Sequence, residues 1–187
     1  MRFGFLLFAA AAMAAGPAAA QDSRDAAIAA LAHAHPRTAI GAALIRDSKV
    51  VWTGVAGAQT DRQAATRDTL FNIASMTKPV TAELVMRLVQ AQRIGLDEPM
   101  APVWMDPDVA GDARAKRLTP RMALSHQTGF PNWRPENRRL TFARDPGTGF
   151  IYSGEGIELV ARFAARKLRA DFEDLADAYV FRPMGLP

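Results

Sequence analysis

The chain contains no cysteine, so its fold relies on no disulfide. Lysine is scarce. Only four of the 23 basic residues are Lys, and the arginines are spread along the chain with no basic run interleaved with aromatics, which argues against nucleic-acid binding. Histidine is scarcer still. His33 and His35 form an isolated His-x-His pair without further ligands and read as a solvated helix end, not a metal site. There is no internal repeat. The one strongly apolar run, Phe3 to Ala15, is too short to span a bilayer. What remains is a chain of 187 residues with net charge +4 and 49% hydrophobic residues, enough for one domain with a subdomain and a sizeable core.

The first twenty residues, MRFGFLLFAAAAMAAGPAAA, have the layout of a secretory leader. Arg2 supplies the positive start, and Gly16-Pro17 interrupts the apolar run. Ala18 to Ala20 fit the small-residue cleavage rule, which makes Gln21 the first mature residue. Export is then expected, most simply to a bacterial periplasm, with no membrane span after cleavage; an uncleaved N-terminal anchor is the alternative.

Beyond the leader, Asp25 to His35 is Ala-rich and reads as a helix closed by Pro36. Ala39 to Arg46 and Lys49 to Val55 read as strands joined at Asp47-Ser48. A polar stretch runs from Gln59 to Asp68. From Ser75 onward, Val80, Leu84, Val85, Leu88 and Val89 form one apolar face at helical spacing. Asp97 to Asp112 reads as loop. Thr119-Pro120 opens a short helix through Leu124 as cap and first residue. Gly129 to Gly149 is a long loop of the kind that carries function. Ile157, Val160, Ala161, Ala164 and Leu168 mark another helix, with Glu155 and Glu158 suiting its positive end. Asp171 is placed to cap a last helix carrying Phe172, Leu175, Ala176 and Tyr179. A two-stranded hairpin is marginal alone and needs more strands or a covering helix.

Ser75 and Lys78 are spaced i, i+3, which on a helical turn puts both on one face. A Ser hydroxyl becomes a nucleophile when a nearby base takes its proton, and a Lys can be that base where burial or a neighbouring cation lowers its pKa. The start of a helix adds backbone N–H groups and a positive dipole end that stabilise an oxyanion. The bland reading is an N-cap Ser and a solvated Lys. Pro79 disfavours helical geometry at Lys78, so a tightened or kinked first turn is expected. Tyr152 and Ser153 lie in IYSGEG, a Gly-rich turn before a helix. A Tyr beside a Lys forms a coupled pair able to move one proton. Taken alone, Tyr152 reads as a half-buried aromatic. His126 is an alternative base for Ser75, although the chain has no G-x-S-x-G elbow. Trp133 sits in the long loop, where it either borders a cleft or simply packs.

FNIASMTKPVTA, RMALSHQTGFPNW, PGTGFIYSGEG and YVFRPMGLP occur in that order. Together they resemble the serine hydrolase superfamily of class C β-lactamases, penicillin-binding DD-peptidases and related serine esterases, over residues 35 to 187. The resemblance implies an α/β (α+β) fold of the β-lactamase/transpeptidase type. Residues 21–70 would form the N-terminal helix and first strands, and 71–187 a helical subdomain with both motifs. It also implies acyl transfer through a Ser75 acyl-enzyme, without metal or cofactor. Lys78 would be the partner base, Tyr152 the proton relay and the Ser75 backbone N–H one half of the oxyanion hole. His126, Ser153, Gly154 and Trp133 would lie around them. The implied substrate is a small ester, an amide or lactam, or a cell-wall D-amino-acid peptide. Gly154 stands where class C β-lactamases have the Asn of Tyr-x-Asn, which favours an esterase or peptidase. The family's third motif, Lys-Thr-Gly or His-x-Gly, does not occur downstream of Tyr152, so the domain is expected to be incomplete at its C-terminal side. An inert relative or a binding-only module is the competing expectation, and the oligomeric state stays open.

Overall fold

The computed structural model describes residues 17–136 and 139–186; the leader read over 1–20 lies outside them apart from its last residues. The chain divides into two compact units, Met1–Asn72 and Ile73–Pro187.

In the first unit, helix α1 spans Pro17–Ala34, starting earlier than the Asp25 expected. The reason is local: Ala18 to Ala20 have the highest helix propensity, and Pro17 suits a first helical position. Strands β1 (Ala39–Arg46), β2 (Lys49–Thr60) and β3 (Gln63–Ala64) form an antiparallel sheet in the order β1-β2-β3. Asp47 and Ser48 both have positive φ, 50° and 59°, as a two-residue turn joining right-twisted strands requires. The register slips between Leu44 and Ile45, leaving Val51 as the extra residue of a bulge. The polar stretch read after residue 59 is partly strand. Residues 58 to 60 leave the ladder with β1 and pair with β3 instead. The hairpin thus has both supports it needs: a third strand, and α1, whose Asp25 carboxylate accepts a hydrogen bond from Trp52 Nε1 at 3.0 Å.

The second unit is helical. A 3₁₀ turn, Ala74–Met76, runs straight into α2, Thr77–Gln90. Helix α3 spans Pro120–Leu124, α4 Gly154–Leu168 and α5 Phe172–Ala176, followed by a π turn, Asp177–Phe181. The apolar stripes meet in one core. Leu84, Val85 and Leu88 of α2 pack with Leu159, Val160, Phe163 and Ala164 of α4 and with Leu175 of α5. Loop residues complete it, notably Met100, Leu118 and Phe130, all fully buried. Thr119 caps α3 as expected, accepting from the Met122 N–H at 3.3 Å. Asp171 corrects its expected role: it sits at the N-cap of α5, but its side chain accepts no cap bond there. Among the described residues, no helix is long and apolar enough to cross a membrane.

Phe163 is fully buried where α4 meets the core, so Phe163→Ala should destabilise the second unit by about 3–5 kcal/mol. Urea denaturation followed by circular dichroism measures this. A loss below about 1 kcal/mol would mean that the α2–α4 packing is not what holds the unit together.

Candidate active site

The turn that carries Ser75 is tight for a covalent reason. Pro79 has no N–H to return to the carbonyl of residue 75, so the chain enters α2 through a 3₁₀ turn. Ala74, just before Ser75, has φ of 45°, a left-handed conformation that costs an alanine on the order of 1 kcal/mol. Strain of this kind concentrates at functional sites. The i, i+3 spacing then brings the two side chains together: Lys78 Nζ donates to Ser75 Oγ at 3.0 Å. Ser75 is exposed and Lys78 half-buried.

Tyr152 arrives from the other side of the same unit. Hydrogen bonding from the Ser75 hydroxyl, and then from Lys78, pulls its phenol below the ordinary tyrosine pKa. Lys78 Nζ also lies 4.9 Å from the centre of the Tyr152 ring. Lys78 Nζ thus meets Ser75 Oγ, and both side chains bear on the Tyr152 phenol.

His126 holds Tyr152 in place from both flanks. Helix α3 ends in a Schellman motif, with Gln127 N–H bonded to Met122 O at 2.7 Å and His126 N–H to Ala123 O at 3.2 Å. His126 occupies the left-handed position, with φ of 57°. Its carbonyl accepts from the Ile151 N–H at 2.9 Å, and its Nδ1 accepts from the Ser153 N–H at 3.0 Å. The imidazole lies against the Tyr152 ring, 4.7 Å between centres. Burial, and then the charge of Lys78, push the His126 pKa down. An Nδ1 that accepts a backbone N–H is also an unprotonated one. His126 is thus engaged with the segment around Tyr152, not with Ser75.

Ser153 is fully buried and caps α4: its Oγ accepts from the Gly156 N–H at 2.9 Å and donates to Pro131 O at 2.8 Å. The Gly154 N–H is shared between Asn132 O at 2.9 Å and Asn132 Oδ1 at 3.0 Å. Trp133 lies beyond it, 64% exposed, with Lys78 Nζ 5.7 Å from its ring centre.

Sequence reasoning missed the ion cluster that anchors this loop. Glu155, read as a partner of the helix dipole, is buried and faces Arg134. The Arg134 guanidinium binds Glu155 at 2.8 Å, Asp106 at 2.7 Å and Asp108 at 3.0 Å, and the Arg134 backbone N–H donates to Glu155 Oε1 at 2.9 Å. Burial alone would raise the Glu155 pKa, but the hydrogen bonds and charge of Arg134 outweigh it and hold it low. Asp108 also accepts from the Leu140 N–H at 2.8 Å. No periodicity could reveal a cluster whose bonded partners lie 21 to 32 residues apart. Among the described residues, no group of His, Asp and Glu could hold a metal ion.

The β-lactamase family model matches residues 24–187. Esterase EstB of Burkholderia gladioli is 32% identical over 129 residues, covering 65% of this chain and 30% of that protein. The chain spans about a third of the length of the curated relatives it matches. Among solved structures, SurE superposes with a TM-score of 0.74 at 25% identity, covering 91% of this chain and 40% of that one. A class C β-lactamase from Rhodobacter sphaeroides does so with a TM-score of 0.67 at 23% identity, covering 87% and 48%. These neighbours share the β-lactamase/transpeptidase fold, of which this chain covers a part.

The His126 clamp makes a pH prediction. A His whose pKa is lowered by folding is neutral in both states above its unfolded value near 6.5. Below that value the unfolded chain takes up the proton first, so stability is lost as pH falls through the folded pKa. The melting temperature should therefore drop between pH 7.5 and 5.5. His126→Asn, which tolerates the left-handed backbone and still offers an acceptor, should flatten that drop. Equal slopes in the two proteins would show that Nδ1 does not hold the segment.

Proposed function

We propose that this chain, which belongs to the β-lactamase family, carries the nucleophile, base and proton relay of an exported serine hydrolase that works through a Ser75 acyl-enzyme. The observation that carries the reading is the continuous contact from Lys78 Nζ through Ser75 Oγ to the lowered phenol of Tyr152. Four ordered sequence motifs and the similarity to esterase EstB support it. The leader-like first twenty residues support export to the periplasm.

In this mechanism Ser75 Oγ attacks a substrate carbonyl as its proton passes to the Tyr152 oxygen. Lys78, donating to Ser75 and stacked on the Tyr152 ring, stabilises the tyrosinate and helps return the proton to the leaving group. The Ser75 backbone N–H, at the start of the 3₁₀ turn, faces the developing oxyanion. The leaving alcohol or amine departs with the proton, and water then cleaves the acyl ester to regenerate Ser75. Gly154 offers no side-chain amide to a substrate, which favours esters or peptides over lactams.

Turnover of p-nitrophenyl acetate tests this. Ser75→Ala should abolish it, and Tyr152→Phe should lower kcat/KM by about 10²–10⁴-fold. A lowered phenol pKa means that the proton-accepting form is reached sooner as pH rises. The wild-type rate should therefore climb with pH and level off below pH 10, and Tyr152→Phe should lose that limb. An unchanged profile in Tyr152→Phe would remove Tyr152 from the proton path, and turnover surviving Ser75→Ala would remove the acyl-enzyme.

A further inference from the structure

A side chain at position 154 has nowhere to go. An added Cβ would lie 2.8 Å from Trp133 Cη2, 2.9 Å from Trp133 Cζ3 and 2.8 Å from Asn132 O. The Trp133 indole thus stands in the space that a residue-154 side chain would claim. It is held there from both sides. Asn132 accepts the Gly154 N–H, and Arg134 gives its N–H to Glu155. The ring itself stays largely exposed, although indole is the largest apolar surface a side chain can offer.

From Ser75, a cavity of about 660 Å³ opens along this ring and the inner face of α4, bounded by Ile157, Ala161 and Phe172. That is within the size range of small-molecule sites, which are concave and mostly apolar. Its polar groups are largely occupied. Thr81 Oγ1 donates to Thr77 O at 3.1 Å, and Arg162 pairs with Glu158 at 2.8 Å while its guanidinium lies 5.7 Å from the Trp104 ring centre. Glu173 also lines the cavity and is exposed. Lys78 and Arg162 balance Glu158 and Glu173, so the walls carry no net charge, and the rest of their surface is mostly apolar.

We infer that this cavity is the acyl-group subsite and that it selects a neutral, apolar acyl group, aryl or alkyl, stacked on the exposed Trp133 indole, which Gly154 lets lie in the cavity wall. The inference rests on Ser75 as the reacting group, since it assigns which side of the attacked carbonyl lies along α4. The same cavity accounts for why glycine occupies position 154: a Cβ there would push the indole out of the wall.

Two p-nitrophenyl esters, acetate and phenylacetate, share a leaving group and differ only in the acyl part. In Ser75→Ala, where no acyl-enzyme can form, calorimetry should find phenylacetate bound at least about tenfold more tightly than acetate, and Trp133→Ala in that background should erase the difference. In the chain with Ser75 intact, the ratio of kcat/KM for phenylacetate over acetate should likewise exceed about ten and collapse in Trp133→Ala and in Gly154→Ala. Equal affinity for the two esters in Ser75→Ala would overturn the subsite whatever the turnover. Selective binding with no Ser75-dependent turnover would support the subsite and overturn the hydrolase reading instead, so the two failures are distinct.

Discussion

The 3.0 Å contact between Lys78 Nζ and Ser75 Oγ is the constraint around which the second unit is arranged. It demands a turn tight enough to stack residues three apart, and Pro79 enforces that turn by withholding a backbone donor. On the proposed hydrolase reading it also demands a group beside it that can take part in moving the Ser75 proton. Tyr152 fills that place, and its lowered pKa is the electrostatic trace of being aimed at by both neighbours. Helix α2 is in turn fixed by Leu84, Val85 and Leu88 in the core, so the turn carrying Ser75 adjoins a helix that packing holds in place.

The opposing side chains come from loops, and the structure solves the same problem twice in the same way. The backbone on either side of an exposed aromatic is tied down while the ring is left accessible. Residues 151 and 153 are bonded to His126, which fixes Tyr152 between them. Residues 132 and 134 are bonded to the first turn of α4, which fixes Trp133 between them. The Arg134 ion cluster belongs to the second device. Removing one partner of such a cluster would leave a buried charge unmatched, which is far more damaging than losing an exposed pair. Its role is best understood as holding the loop to α4, and through the loop the indole.

Much of this was legible in the sequence, for identifiable reasons. The stripe from Val80 to Val89 announced α2 and its buried face because period and burial share one cause. Pro79 announced the distorted first turn because its effect is covalent and local. Asp47-Ser48 marked the hairpin between strands whose first boundaries were readable. The Ser75, Lys78 and Tyr152 side chains could be nominated together only through the ordered motifs, since composition cannot say that residues 75 and 152 meet. The Arg134 cluster and the bonds of Asn132 stayed hidden because they join residues far apart in sequence and leave no periodic signal. The meaning of Gly154 was half visible. Its lack of an amide could be read directly, but the indole that takes up its space could not.

The central claim is that Ser75 is made reactive by its neighbours, not merely exposed. Reaction with a fluorophosphonate, followed by peptide mass mapping, tests it most directly, because the phosphonyl group stays on the oxygen that displaces fluoride. The account predicts a single adduct on the peptide containing Ser75, and its loss in Lys78→Met although Ser75 itself is unchanged. An adduct on any other serine, no adduct on the folded protein, or full labelling of Lys78→Met would contradict it.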